Sequence, residues 1–310
     1  MKSRMLPNLI VLTVPKTGST SLYENFRDNN KICAALSKET WFFSDYFDKG
    51  YSWYLDQFSH CRNEPIVCDF ISTLIYEKNF SLKLYSILPE TKIIILLRDP
   101  IKRCVSHYLH EVRLGNESRP FDDAILNEDE SLKTFPEKFS HLAYKGIGSI
   151  YLERIKELHQ AYSKENIMVV LLEELISEEK KTFNKIYEFI GIDLDLTPFK
   201  RKNTARTSKN FFLTKASAAP INLYYSLINF LDKNSLIPQN IKVKTRVLRE
   251  NLVRLLKRFN ELSYREVDTN IMSPEMEKYL SKYYSNVLKG IEEFVSIKKI
   301  NQYWPWFKNE

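Results

Sequence analysis

Apolar residues along this chain gather into short unbroken runs set between polar stretches, the pattern of strands buried on both faces of a parallel sheet. Residues 8–14, 92–97 and 166–172 read this way, with 65–70 as a weaker fourth run. Between them apolar positions recur at three and four in 19–29, 81–88, 101–113 and 148–162, which predicts helices with one apolar face. Strands alternating with helices imply an α/β fold, a central parallel sheet covered on both faces. Past about residue 195 the pattern turns helical and basic, with 243–262 and 274–297 as long helices. With no internal repeat, the expectation is one domain over 1–310, a core of about 5–195 and a helical extension of about 196–310 that wraps the sheet or lids the site.

Composition narrows the class without naming a partner. The 310 residues are 44% hydrophobic and 13% aromatic with only 7 glycines, which excludes disordered and fibrous chains. A net charge of +7 favours an anionic partner: a nucleotide, a glycan, a nucleic acid or a membrane surface. Cys33, Cys61, Cys68 and Cys104 form no CxxC pair and have no histidine at zinc spacing, so the sequence signals neither a metal site nor a disulfide framework. Buried thiols in a reducing compartment are expected. The apolar run 9–14 is too short for a signal-peptide core or a membrane span, and 221–231 is also too short to span. These features predict a cytoplasmic protein with no integral membrane segment.

Ligands of open parallel sheets bind where strands end and helices begin. Run 9–14 passes into Pro15-Lys16-Thr17-Gly18-Ser19-Thr20-Ser21 and then a helix, which presents backbone N–H groups at a positive helix end. Gly18 allows close approach of backbone to ligand, Ser19, Thr20 and Ser21 offer hydroxyls, and Lys16 supplies a mobile charge. A Walker loop has two glycines with its lysine after the second, whereas Lys16 precedes a single glycine. The shorter turn suits one phosphate with a small attached group.

The run 93–97 ends in Arg98-Asp99-Pro100, where Asp99 is a natural N-cap and Pro100 a good first helical residue. Arg103, Ser106 and His107 then share one face of the helix start, with Arg98 just upstream. Together they form a second anion site, and two such sites a nucleoside apart describe a ligand phosphorylated at both its 5′ and 3′ ends.

The stretch 15–22 resembles the 5′-phosphosulfate loop of the sulfotransferases that use 3′-phosphoadenosine 5′-phosphosulfate. Residues 98–108 resemble that family's R-x-P-x-x-R-x-x-S-x-Y element, in which the first Arg and the Ser, here Arg98 and Ser106, hold the 3′-phosphate. Lys38-Glu39-Thr40-Trp41-Phe42-Phe43 resembles the K-E-x-x-F-F segment of the heparan sulfate sulfotransferases and their bacterial relatives, whose glutamate is the general base. Residues 50–54, 148–151 and Trp304 or Trp306 resemble that branch more loosely.

The resemblance implies a three-layer P-loop-kinase-like fold and transfer of a sulfuryl group to a hydroxyl or amine, with adenosine 3′,5′-bisphosphate as product. Lys16 and Glu39 are then catalytic, and no metal is expected. Lys16, Thr17, Gly18, Ser19, Thr20, Ser21, Arg98 and Ser106 bind the donor. Arg201 and Lys202 faintly resemble a further 3′-phosphate element in which Asn203 replaces glycine. Trp41 and Asp69 are the expected acceptor contacts, although Trp41, Ser44 and the Cys68–Ser72 segment depart from the glycan enzymes. The acceptor expected is a glycan or a small alcohol or amine, not a nucleic acid. A kinase of related fold, with Asp99 or Glu173 as its magnesium carboxylate, and a non-catalytic polyanion binder are the competing classes.

Overall fold

The computed structural model describes residues 6–72, 79–114, 116–128, 142–193 and 271–307, and the backbone of 206–208 and 264–266. Five strands, β1 (Leu9–Thr13), β2 (Ile32–Glu39), β3 (Ile66–Ile71), β4 (Lys92–Leu97) and β5 (Ile167–Leu171), form one sheet in the order β2-β3-β1-β4-β5. Every pairing in it is parallel. Helices α1 (Ser19–Arg27), α2 (Gly50–Asp56), α3 (Phe80–Ile87) and α4 (Pro100–Leu114) follow the first four strands, as parallel pairing requires. Helices Tyr151–Ala161, Leu172–Ser177 and Glu179–Ile190 complete the layers. This is the P-loop-kinase-like arrangement.

Central β1, bonded on both edges, is buried at all five positions and apolar from Leu9 to Leu12. Its residues alternate between two cores. Leu9 and Val11 join Leu22 and Phe26 of α1 and Phe183, Ile186 and Tyr187 on one face. Leu12, with Ile95 of β4 and with Phe80, Ile155 and Leu158, lines a cavity on the other.

Strand β2 was not foreseen. Its sequence, ICAALSKE, is poor in the β-branched and aromatic residues that mark strands, and its pairing with β3 imposes the conformation instead. The register slips between Ala34 and Glu39. The predicted helix 148–162 is two helices, Tyr144–Ser149 and Tyr151–Ala161, and 274–297 ends as a helix at Val287, before Gly290 at φ 97°. The apolar run 221–231 and the predicted helix 243–262 lie outside the described residues.

The cysteine expectation needs correction: Cys33 on β2 and Cys61, beyond α2, form a disulfide with Cα atoms 5.7 Å apart. Their separation of 28 residues carries no motif, so only the fold brings them together. Cys68 and Cys104 are buried thiols outside the disulfide, as expected.

Close contacts divide the chain into two units, 1–104 with 145–204 and 274–310, and 105–144 with 205–273. The first contains the sheet. In the second, Arg119 pairs with Glu117 at 2.6 Å, Tyr144 donates to Glu117 at 3.2 Å, and Tyr108 donates to the Arg119 carbonyl. Its strands β6 (Arg206–Ser208) and β7 (Tyr264–Glu266) pair antiparallel. Among the described residues no helix is long and apolar enough to cross a membrane.

Phe70 of β3 stands edge-on to Tyr23 at 5.5 Å and Phe26 at 5.9 Å and is fully buried. Truncation leaves a cavity the sheet cannot close, so Phe70→Ala is expected to cost about 3–5 kcal/mol, read from urea denaturation.

Candidate active site

All five parallel strands end toward the same edge, so the residues following them share one rim. β1 leads to Lys16, β2 ends in Glu39, β3 leads to Ser72, β4 to Arg98 and β5 to Glu173. The turn after β1 is built as the sequence suggests. Gly18 caps α1 at φ 88°, and an added Cβ would lie 2.5 Å from Leu172 Cδ1, so steric and conformational limits both favour glycine. Thr17 is fully buried, and its hydroxyl donates to the Val14 carbonyl at 2.9 Å; it serves the turn rather than facing a ligand. The Ser21 and Leu22 amides return to the Gly18 carbonyl at 3.0 and 3.2 Å. Helix geometry leaves the preceding amides of Ser19 and Thr20 directed outward at the positive end of α1.

Lys16 has φ 75°, a left-handed conformation costly for a side chain with a Cβ. Its carbonyl accepts a hydrogen bond from Arg98 Nη1 at 3.0 Å. The arginine of the second junction therefore braces the lysine of the first. Burial pulls the Arg98 pKa below its ordinary value, against the opposing field of Glu173.

Asp99 is the N-cap foreseen for α4. Its Oδ1 accepts the amides of Ile101 at 2.9 Å and Lys102 at 3.2 Å, while Oδ2 accepts the Trp306 indole N–H at 3.1 Å. Glu173 Oε1 accepts the Asp99 amide at 3.0 Å. Burial raises the pKa of both carboxyls. Both carboxylates suggested for magnesium in a kinase thus hold the start of α4.

Arg103 is fully buried, close to Tyr151 and Tyr284. Ser106 and His107 lie on the part of α4 within the second unit, Ser106 half-buried and His107 buried. There His107 packs its ring edge-on against Tyr144, with Nε2 3.8 Å from Glu111, which is a packing role. Arg201 and Lys202 lie outside the described residues.

The carboxylate of Glu39 is held from two sides. Lys38 Nζ lies 3.2 Å from its Oε1, and Ser72 Oγ donates a short hydrogen bond to its Oε2. The same Lys38 Nζ donates to Ser19 Oγ at 2.9 Å. Lys38 thereby connects the anion turn to the carboxylate. Neither Lys38 nor Ser72 was singled out in the sequence, although Lys38 stands beside Glu39 in the segment that carries the resemblance.

Trp41 is exposed, with φ 57°, and its carbonyl accepts the amides of Asp45 at 2.9 Å and Tyr46 at 3.1 Å. Asp69, expected to meet the acceptor, is fully buried: its Oδ2 accepts the hydroxyls of Thr40 at 2.7 Å and Tyr54 at 3.0 Å. Its carboxylate therefore bears on the rim through Thr40, next to Glu39. Burial raises the Asp69 pKa to about 7, with the nearby Glu39 charge adding to the rise and the two donated hydrogen bonds opposing it.

A parallel sheet whose central strand leads into a turn at a helix N-terminus, with a held carboxylate beside that turn, is the layout in which open α/β folds bind ligands at their strand ends. The chain matches the sequence model of the Sulfotransferase domain over residues 6–252 and belongs to that family. It is 30% identical over 138 residues to the membrane-associated sulfotransferase kil1 of Dictyostelium discoideum, covering 42% of this chain and 29% of that protein. It is 23% identical over 219 residues to heparan sulfate glucosamine 3-O-sulfotransferase 3B1 of Homo sapiens, covering 70% of this chain and 52% of that protein. The chain thus spans about half the length of the human relative, or less for kil1. A solved sulfotransferase from Alicyclobacillus acidocaldarius shares the fold, with a TM-score of 0.58 and 22% identity over 70% of this chain and 92% of that one.

The raised pKa of Asp69 fixes the sign of a pH effect. A carboxyl whose folded pKa exceeds its unfolded value near 3.8 favours the fold fully below that value and loses the contribution as pH rises through about 7. Asp69→Asn keeps an acceptor for Thr40 and Tyr54 but cannot ionise. The variant should gain stability relative to wild type between about pH 4 and pH 8, by on the order of a few kcal/mol. Urea titrations across that range check it, and a constant difference would show that Asp69 does not ionise in the fold.

Proposed function

We propose that this chain transfers the sulfuryl group of 3′-phosphoadenosine 5′-phosphosulfate to a hydroxyl or amine of a saccharide acceptor. The observation that carries the reading is Lys38, one ammonium bonded to Ser19 of the anion turn and to the Glu39 carboxylate. That connection sets a proton acceptor beside the place where a sulfonate would sit. The resemblance to glycan sulfotransferases in the K-E-x-x-F-F segment, and the similarity to the human heparan sulfate enzyme, support a saccharide acceptor.

Sulfuryl transfer resembles phosphoryl transfer: the group passes in line while charge builds on the leaving phosphate, so catalysis is mainly positioning and charge stabilisation. The outward amides of Ser19 and Thr20, with the Ser19, Thr20 and Ser21 hydroxyls, bind the 5′-phosphosulfate. Lys16, its backbone braced by Arg98, offsets charge on the bridging oxygen as the sulfur–oxygen bond breaks. Arg98 takes the 3′-phosphate, an assignment that rests on the motif. Glu39 Oε accepts the proton from the acceptor as its oxygen or nitrogen attacks sulfur. Lys38 and Ser72 hold that carboxylate in place.

Glu39→Gln should lower transfer of labelled sulfate by about 10²-fold or more while thermal stabilisation by adenosine 3′,5′-bisphosphate persists. An active Gln variant would remove Glu39 from the role. Lys38→Met breaks the connection between turn and base, so it should depress kcat more than donor affinity; an equal loss in donor affinity would make Lys38 a binding residue only. Stabilisation that requires Mg-ATP would support the kinase reading, and none by either nucleotide the polyanion binder.

A further inference from the structure

Cys33 and Cys61 have a third neighbour that a purely structural disulfide does not need. His60 Nε2 lies 3.3 Å from Cys33 Sγ and 3.0 Å from the Ala34 carbonyl. The donor atoms of Cys33, His60 and Cys61 all fall within 4.8 Å of one another. We propose that, with its disulfide reduced, this chain binds one zinc ion through Cys33, Cys61 and His60.

The donors match the metal. Two thiolates and an imidazole form a mixed sulfur and nitrogen set that suits Zn²⁺, with Zn–S of about 2.3 Å and Zn–N of about 2.0–2.1 Å. Tetrahedral geometry at those lengths sets the donors roughly 3.5–3.8 Å apart. The imidazole is close to that spacing already. The sulfurs must part from bonding distance, which rotation about the Cys61 side chain allows because Cys61 is only half-buried and His60 is exposed. Water fills the fourth position from solvent.

The scaffold is in place beforehand. Cys33 is buried on β2. The chain after α2 is wound into a ladder of turns, with Gln57, Phe58 and Ser59 amides bonded back to the carbonyls of Tyr54, Leu55 and Asp56 and the Cys61 amide to Phe58 at 2.9 Å. Glu64, whose carboxylate accepts the Arg62 amide at 2.7 Å, keeps a negative charge near His60. No part of this site overlaps the residues assigned to transfer, so the proposal stands apart from the function proposed above.

Two states then exclude one another. Thiol–disulfide exchange with two small thiols breaks the Cys33–Cys61 bond, adds two electrons and two protons, and leaves the small thiols joined as their own disulfide. Zinc then displaces both thiol protons as two Zn–S bonds form, and the ring proton that Nε2 directs at the Ala34 carbonyl is exchanged to Nδ1, which frees Nε2 for the metal. In a reducing compartment disulfides are rare, which leaves both thiols to the metal.

The test uses the full chain, reduced with a phosphine or left oxidised, exposed to zinc chloride and desalted before zinc is counted with a chromophoric chelator. One zinc per reduced chain and none per oxidised chain is expected, with His60→Ala weakening binding at least about tenfold. Equal zinc in both forms, or none in the reduced chain, overturns the proposal. The Cys33→Ser/Cys61→Ser variant should hold no zinc, and wild-type zinc content in it likewise overturns the proposal. Should that variant fail to fold, Co²⁺ substitution in the wild-type chain decides. A thiolate-to-cobalt charge-transfer band confined to the reduced form supports the site, and its absence rejects it.

Discussion

The constraint on which this molecule depends is the parallel pairing of β1 on both edges. A strand bonded to β3 and β4 and covered on both faces has no exposed position for a polar side chain, which is why Leu9 to Leu12 are all apolar. Parallel pairing also sends every crossover back through a helix, so all five strands deliver their carboxyl ends to one edge. Lys16, Glu39, Ser72, Arg98 and Glu173 are brought near that rim by this one rule, although they are spread over more than half of the chain.

The rim is held by charge spread across junctions rather than within them. Arg98, at the end of β4, bonds the carbonyl of Lys16, at the end of β1. Lys38, near the end of β2, reaches Ser19 at the start of α1. Glu173 accepts the amide of Asp99, which in turn caps α4 and holds Trp306. Each link joins two strand ends, so a shift of one junction is felt by the next. The left-handed backbone of Lys16 is tolerable for the same reason: a costly conformation persists where surrounding bonds determine it.

What the sequence revealed follows from where the information is local. Gly18, the hydroxyls after it and the Asp99-Pro100 helix start are each readable within a few residues, because turns and caps are decided by neighbours in the chain. The buried runs that became β1, β4 and β5 were legible for the same reason. β2 was not, since Ala34, Ala35 and Leu36 carry little strand preference and pairing with β3 decides their conformation. The disulfide between Cys33 and Cys61 was equally hidden, as was the burial of Asp69 beneath Thr40 and Tyr54. These are contacts between distant segments, and no spacing rule announces them.

This difference separates the two halves of the site. The half proposed for the donor is made of backbone amides at the end of α1, a glycine that leaves no room for a Cβ and an arginine bonded to main chain, so it is written in residue types at fixed spacing. The half proposed for the acceptor rests on side chains over irregular chain: Trp41 is exposed at positive φ, and beyond it Tyr46 and Trp53 pack at 5.0 Å with Lys49 over both rings. Loops carried by a rigid scaffold can exchange such groups without disturbing the sheet. A sheet of this kind therefore constrains the turns at its strand ends far more tightly than the loops beyond them. The departures of Trp41 and Ser44 from the glycan enzymes fall on the half that the fold leaves free to vary.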